Sequence, residues 1–275
     1  MIVPPSRLPI SVLVIIHNEE RLIERALRSF ADIVSEIIVI HDGPCTDRSL
    51  DICRRYTDKI FIRERVGEAE PHRVFGLEQC HNPWVLQVDA DEFLSPKLRA
   101  RLSNLVQDQR YDGYEFLWPT WYKGKYYYAY YKRALFRKDR FYFIGAPHEY
   151  PKTKDKNVRI KRVKYLLEHK PLYDNLTWST FRTKWIPWTR IHARYYLRDF
   201  SSLAKYNCTL TDWEPRLKYR IRHPLLVGII GSSLVQVGFG LRHFLFQPKW
   251  VFLKAGLFMA LYHSYLFFYV WKHKT

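Results

Sequence analysis

Over the first hundred residues, short apolar runs alternate with amphipathic stretches. Ile10–Ile16 (ISVLVII) is a continuous, largely β-branched run, the pattern of a strand buried on both faces of a parallel sheet. Asn18, Glu19 and Glu20 then open a helix whose apolar positions, Leu22, Ile23, Ala26, Leu27 and Phe30, recur at helical spacing. Ile37–Ile40 reads as a second strand and ends in His41, Asp42 and Gly43. Thr46 or Asp47 can cap the next helix, which turns Leu50, Ile52, Cys53 and Tyr56 inward. Lys59–Ile62 reads as a third strand, Arg73–His81 as a helix and Trp84–Val88 as a fourth strand. Strand and helix alternate with short connections, which predicts an α/β fold: a doubly wound, mostly parallel sheet with helices on both faces. Ligands of such sheets bind beyond the carboxyl ends of the strands. The ends here carry His17-Asn18-Glu19, His41-Asp42 and Asp89-Ala90-Asp91-Glu92.

The pattern changes after Ser95. A helix over Pro96–Val106 gives way to aromatic, alternating segments at Tyr114–Trp118, Tyr126–Tyr131 and Ala134–Arg137, which predict strands extending the sheet. Trp178–Leu203 is expected to be helical and carries Trp185, Trp188, Arg190, Arg194 and Arg198. Two uncharged stretches close the chain, 18 residues over Pro224–Leu241 and 17 over Ala255–Trp271. At the helical rise they are roughly 27 and 25 Å long, against a hydrocarbon core of about 30 Å. Basic residues flank both, which argues for membrane association. Ser232, Ser233, Gln236 and His263 weaken the case for full spans, and a hairpin lying in or dipping into the membrane is the other arrangement.

Charge sharpens this division. Residues 1–100 hold 13 Lys and Arg against 16 Asp and Glu, while the rest hold 32 against 11, so the formal charge of +18 belongs to the later part. A basic half rich in Tyr and Trp suits an anionic membrane surface, a nucleic acid or a phosphorylated substrate. No zinc-finger pattern and no basic helix with heptads is present, which disfavours nucleic acid. Cys45, Cys53, Cys80 and Cys208 form no CxxC pair, as expected of free thiols in a reducing compartment. The leader MIVPPSRLP lacks a signal-peptide pattern, so the catalytic part is expected in the cytoplasm.

Three segments carry the chemistry. In VLQVDADEFLSP a buried strand runs into Asp89 and Asp91, whose carboxylates could turn toward one hard divalent cation bridging them to a diphosphate. Without a cation the two would repel at a sheet edge, and a metal is one counter-charge. An acidic helix N-terminus capped by Ser95 explains the same run without a ligand. In IIVIHDGPCTDRS, Asp42 is placed to meet a base or ribose, or to close an Asx turn. In IIHNEE, Glu19 could accept from a base or ribose, or simply start a helix. Walker A and GxGxxG patterns are absent, which counts against P-loop and dinucleotide sites.

Together, SVLVIIHNEERLIERALRSF, EIIVIHDGPCTDRSLDIC and WVLQVDADEFLSP resemble the family-2 inverting glycosyltransferases of GT-A (Rossmann-like) fold, especially the lipopolysaccharide-core β-glucosyltransferase branch. The resemblance covers residues 8–100 strongly and the remainder more weakly. It implies that Glu19 and Asp42 contact the base and ribose of a nucleotide-sugar donor, a UDP-sugar first among them, with His17 near the base. It further implies that Asp89 and Asp91 form a DxD-type pair, the first near the ribose or sugar and the second ligating Mn²⁺ or Mg²⁺. Arg73, in GEAEPHRVF, stands where the family often has a basic donor-binding residue. Glu149, in FIGAPHEYP, is the implied general base of an inverting transfer, with His148 orienting the acceptor or approaching the metal. His169, in LLEHKP, also matches a family position. Two departures stand out. His41-Asp42-Gly43-Pro44-Cys45-Thr46-Asp47 replaces the common Asp-Asp-Gly-Ser-Thr-Asp and lengthens the turn, and His17 stands where Tyr or Lys is common.

The resulting expectation is a metal-dependent transferase at the cytoplasmic face of the membrane, acting on a lipid-linked or membrane-bound glycan in cell-envelope polysaccharide synthesis. Residues 1–205 would form the catalytic domain (1–100 the nucleotide half, 101–205 the acceptor half), and 206–275 membrane-associated helices. A metal-dependent nucleotidyl- or phosphotransferase could use the same Asp-x-Asp, but no glycine-rich phosphate loop accompanies it. A basic membrane- or nucleic-acid-binding module would leave the three carboxylate clusters unexplained.

Overall fold

In a computed structural model, the four apolar runs become adjacent strands: β1 (Leu8–Ile16), β2 (Val34–Asp42), β3 (Ile60–Arg63) and β4 (Trp84–Asp89). β1 pairs in parallel with β2 on one side and β4 on the other, and β3 adds in parallel outside β2. The structure describes residues 7–145, 150–197 and 215–274. Side chains alternate along a strand, and both faces of β1 are buried, as its unbroken apolar run requires. Ile10, Val12, Val14 and Ile16 join the core on one face, while Leu13 and Ile15 join a second core on the other.

Helices α1 (Ile23–Arg28) and α2 (Ser49–Arg54) bury Ile23, Ala26, Leu27, Leu50 and Cys53 in the first core. Asp47 secures the start of α2 by accepting from the Ser49 amide at 2.8 Å. Helix α3 (Glu70–Gln79) covers the opposite face. It approaches closely at Gly76, where a Cβ would stand 2.4 Å from the Leu13 methyl. Ser95 caps α4 (Pro96–Gln107) by accepting from Leu98 N, as the sequence suggests.

The remaining strands are β5 (Glu92–Leu94), β6 (Gly113–Tyr122), β7 (Lys125–Arg137), β8 (Phe141–Tyr142), β9 (Lys152–Thr153) and β10 (Ile160–His169). The large sheet runs β3-β2-β1-β4-β7-β6-β10-β5, while β8 and β9 pair separately. β7 is antiparallel to β4, β10 parallel to β6 and β5 antiparallel to β10, so the sheet is mostly parallel but mixed on this side. Two of the three predicted later strands, Tyr126–Tyr131 and Ala134–Arg137, are one strand. Lys132 and Arg133 break the apolar pattern between them without breaking the backbone, because both side chains have partners within the fold.

The described residues fall into two compact units, one of residues 7–120 and 128–171, the other of 121–127, 172–197 and 215–274. The first holds the sheet just described, apart from the ends of β6 and β7 within residues 121–127. In the second, α5 (Trp178–Thr180), a π-helical turn over Phe181–Trp185 and α6 (Ile186–Tyr196) follow without a break. The predicted continuation to Leu203, with Arg198, lies outside the described residues. Helix α7 (Pro215–Arg222), a π-helical segment (Pro224–Gly231), α8 (Ser232–Phe246) and α9 (Trp250–Lys272) complete the unit. Its core is aromatic, built from Phe181, Trp185, Phe258, Tyr262 and Phe267. Cys45, Cys53 and Cys80 are free thiols; Cys208 lies outside the described residues.

Candidate functional site

Parallel pairing brings the carboxyl ends of β1, β2 and β4 to one edge of the first unit. Beyond β1, Asn18 takes a left-handed backbone (φ 52°), and its amide group clasps Thr46: Nδ2 donates to Oγ1 at 2.8 Å and Oδ1 accepts from Thr46 N at 2.9 Å. The half-buried His17 ring lies 2.6 Å from the Asp42 carbonyl oxygen. His41 is fully buried; its Nδ1 meets Gly43 O at 2.7 Å, and its Nε2 accepts from Asn18 N at 3.3 Å. That arrangement defines a neutral ring with the proton on Nδ1, consistent with the lowering of its pKa by burial. The Glu19 amide donates to Ser49 Oγ at 2.6 Å, and its carbonyl begins α1.

Asp42 is placed differently from the expectation of an open base or ribose contact. Its carboxylate is buried and accepts from Val66 N at 2.6 Å, Gly67 N at 2.9 Å and His72 Nε2 at 2.8 Å. Burial pushes its pKa up, but the His72 bond and the two amides outweigh this and hold it below the usual value. Gly43 turns the chain away at φ +89°, where a Cβ would press on Arg65 at 3.0 Å.

Beyond β4, Asp89 and Asp91 diverge. Asp89 accepts from Arg73 at 3.0 Å and from Lys132 Nζ at 2.9 Å, one cation on each oxygen. Lys132 also meets both oxygens of the fully buried Glu92, at 2.5 and 2.7 Å. Glu92 further accepts from Trp118 Nε1 at 2.5 Å and from the Asp89 amide at 2.9 Å. The counter-charge foreseen as a metal is therefore supplied at Asp89 by the chain itself. Burial would raise Asp89, yet Lys132 and Arg73 hold it well below the carboxylate range. Glu92 is shifted upward, by burial first and by the carboxylates of Asp89 and Asp91.

Arg73 is neither a surface residue nor an open donor contact. It is buried and spans Glu70, at 3.1 Å, and Asp89. Consecutive residues of α3 thus tie two strand ends: His72 holds Asp42, and Arg73 holds Asp89.

Asp91 is free of that cluster. Its carboxylate lies 3.3 Å from His169 Nε2, and its carbonyl accepts from Lys170 N at 2.8 Å. The His169 ring stacks on Trp118 at 4.0 Å and points Nδ1 at the Pro119 carbonyl, 3.0 Å away. Burial lowers the pKa of His169, but Asp91 and Glu92 more than compensate and raise it. No three His, Cys, Asp or Glu side chains converge as a metal cage among the described residues. His148 and Glu149 lie outside the described residues. Lys132, His72 and Trp118 were not singled out from the sequence. Lys132 had one signal, a Lys-Arg pair interrupting a strand of aromatic and apolar residues.

An α/β sheet with carboxylates and histidines gathered beyond its parallel strands is the class of protein that holds a ligand at that edge. The model of glycosyl transferase family 2 matches residues 11–166, more than half of the chain, and the chain belongs to that family. Over 105 residues it is 33% identical to an uncharacterized glycosyltransferase of Rickettsia bellii, covering 38% of this chain and 35% of that one. Over 104 residues it is 32% identical to the lipopolysaccharide core biosynthesis glycosyltransferase LpsC of Rhizobium meliloti, covering 36% of this chain and 38% of that one. The chain thus spans little more than a third of the length of these curated relatives. Among solved structures, S. aureus TarS 1–349 aligns at 16% identity and TM-score 0.46, over 91% of this chain and 89% of that one. The mannosyltransferase PcManGT from Pyrobaculum calidifontis, in complex with GDP-Man and Mn²⁺, aligns at 15% identity and TM-score 0.46, over 95% and 88%.

Proposed function

We propose that this family-2 chain acts as a glycosyltransferase, moving a sugar, with inversion, from a nucleotide-diphosphate donor to a saccharide or lipid acceptor held at a membrane. The observation that carries the reading is the Asp91–His169 pair. Nδ1 is directed at the Pro119 carbonyl, so Nε2 is the ring atom that faces a carboxylate oxygen of Asp91, 3.3 Å away. Two electron-pair donors converging on one point are stable if Nε2 is protonated or if a cation lies against both. Asp91 and His169 would be the residues to hold Mn²⁺ or Mg²⁺. When bound, such a cation stabilises the charge that grows on the leaving diphosphate.

The chain's own residues do the rest. Lys132 and Arg73 keep Asp89 ionised and fixed, while its side chain remains 34% exposed, so a spare lone pair can accept from a ribose or sugar hydroxyl. His17 and Glu19 border the place for the base, and Asp42 acts through the Val66–Gly67 backbone that it holds. Glu149, by resemblance, takes the proton of the acceptor hydroxyl as that oxygen attacks the anomeric carbon. We assign donor binding to residues 1–100 and acceptor binding to residues 101–205. The similarity to a lipopolysaccharide-core enzyme, with the apolar C-terminal helices, supports an envelope glycan acceptor at the cytoplasmic membrane face.

The test is binding and hydrolysis of a panel of UDP-, GDP- and dTDP-sugars with Mn²⁺, Mg²⁺ or EDTA, for wild type and Asp91→Ala. One donor should bind or turn over with metal, and Asp91→Ala should lose about 10²-fold or more. Failure of every donor with either metal would sink the reading.

A further inference from the structure

By length and composition, Pro224–Phe246 and Trp250–Lys272 both qualify as bilayer spans, with mean hydropathy 1.7 and 1.4. Their packing argues against crossing. One side of α9 is covered from end to end within its own unit. Lys254 Nζ donates to the Tyr122 hydroxyl at 2.8 Å, and Phe258 packs against Phe181 and Trp185. Farther along, the Tyr262 hydroxyl lies 2.6 Å from His192 Nδ1, and Arg190 Nε donates to the Tyr269 hydroxyl at 2.8 Å. The covering run, Trp178–Tyr196, carries Arg182, Lys184, Arg190 and Arg194, and all three arginines are exposed. Hydrocarbon surrounding α9 would have to take these cations with it, an expense that membrane helices avoid unless the charges are paired or open to water.

Another side of α9 is closed by α8. Gly240 and Gly256 meet backbone to backbone, and a Cβ on Gly240 would lie 2.7 Å from the Phe252 carbonyl oxygen. Ser233 Oγ pairs with Ser264 Oγ at 3.0 Å, and Gln236 reaches His263 at 3.5 Å. The polar residues that weakened the spans in the sequence are therefore turned inward, between the helices. α9 is thus packed on two sides within its unit.

Apart from residues of α9 that stay exposed, among them Leu257, Tyr265, Phe268 and Trp271, the open apolar surface of these helices is the outer face of α8 and the π-helical segment before it. Leu226, Ile230, Leu234, Val237, Leu241 and Leu245 follow one another at intervals of three and four and are 47–72% exposed. They form an apolar stripe roughly 30 Å long. A stripe of this extent marks an interaction surface rather than a solvated face. Its ends are basic: Arg220 and Arg222 at one, Arg242 and Lys249 at the other, with Lys274 beside the first through its bond to the Arg222 carbonyl at 2.7 Å. An apolar face bounded at both ends by cations complements an anionic bilayer surface.

We infer that the C-terminal hairpin lies in the plane of an anionic bilayer, α8 facing the lipid and α9 behind it, and that neither helix crosses. The inference deepens the membrane reading proposed above and rests on it. It is tested on the full chain with Cys45 and Cys208 changed to serine and single substitutions His223→Cys, Pro248→Cys and His273→Cys at the two outer ends and the turn. Inverted membrane vesicles from an expressing bacterium are treated with a membrane-impermeant maleimide, with and without detergent. All three positions should label equally without detergent. Labelling of the turn and the ends from opposite sides shows a crossing and overturns the inference. In parallel, Leu234→Glu/Leu241→Glu should lower binding to phosphatidylglycerol–phosphatidylethanolamine vesicles at least tenfold with unchanged melting; undiminished binding overturns it. A wild type that binds no vesicle removes the membrane reading itself. One that binds none and dimerises through α8 instead gives the face to a second copy.

Discussion

At the scale of single residues, Lys132 is the charge on which the site turns. An ammonium buried between Asp89 and Glu92 is tolerable because every charge has a partner, and removing one partner strands the others. Lys132→Met is expected to cost about 3–5 kcal/mol of stability. Adding Glu92→Gln should recover part of that loss, because the double variant no longer buries an unpaired carboxylate there. Denaturant unfolding of the two single variants and the double gives the coupling, expected to be at least about 1 kcal/mol. Additive losses would show that the contact does not organise the site. The sequence announced Asp89 and Asp91 because they follow a buried strand directly. It could not announce Lys132, whose partners lie 43 and 40 positions away and meet it only through the β4–β7 pairing. Arg73 was visible as a candidate but not as a buried one, for the same reason: its anchor is a carboxylate of another element.

At the scale of elements, the end of the sheet opposite the site is pinned by one carboxylate. Glu36 in β2 accepts from Ser11 of β1, from Lys59 Nζ at 2.5 Å and from His81 N and Nδ1, each at 2.8 Å, where α3 leads into β4. Burial opposes its charge, but the His81 amide, Lys59 and Ser11 bring its pKa down to about 2. A depressed carboxylate pKa stabilises the fold above the unfolded value, and that contribution disappears as pH falls from about 4.5 toward 2. Glu36→Gln should therefore cost about 1–3 kcal/mol at pH 5, allowing for solvent around Lys59 and His81, and progressively less at pH 3. Denaturation midpoints of both proteins at the two pH values test this; a difference independent of pH would contradict an ionised, depressed Glu36. Strands β1, β2 and β4 were readable because strands buried on both faces leave a largely apolar run. β5 and β10 were not, since a three-residue strand and the half-exposed Ile160–His169, with Lys161, Arg162 and Lys164, lack such a run.

At the scale of the whole molecule, the asymmetry of charge was plain in the sequence, but the membership of the second unit was not. Residues 121–127 and 172–197 join the C-terminal helices through contacts that no local pattern encodes. Their cations add to those beside α8, so two forces of different range should act on a membrane. Burial of the α8 stripe is indifferent to salt, whereas attraction of the basic side chains falls off over a Debye length of about 10 Å at 0.1 M. With roughly 1 kcal/mol for each Lys or Arg near an anionic surface, three or four engaged cations contribute a factor of about 10² to 10³ at low salt. Binding to phosphatidylglycerol-containing vesicles, measured by flotation, should weaken at least tenfold between 0.05 and 0.5 M salt and then level off. Binding to phosphatidylcholine alone should be weak and unchanged by salt. A loss that continues to zero at high salt would mean that α8 buries nothing, and a flat curve on the anionic vesicles would mean that the charge of the later part, net +21, is directed elsewhere.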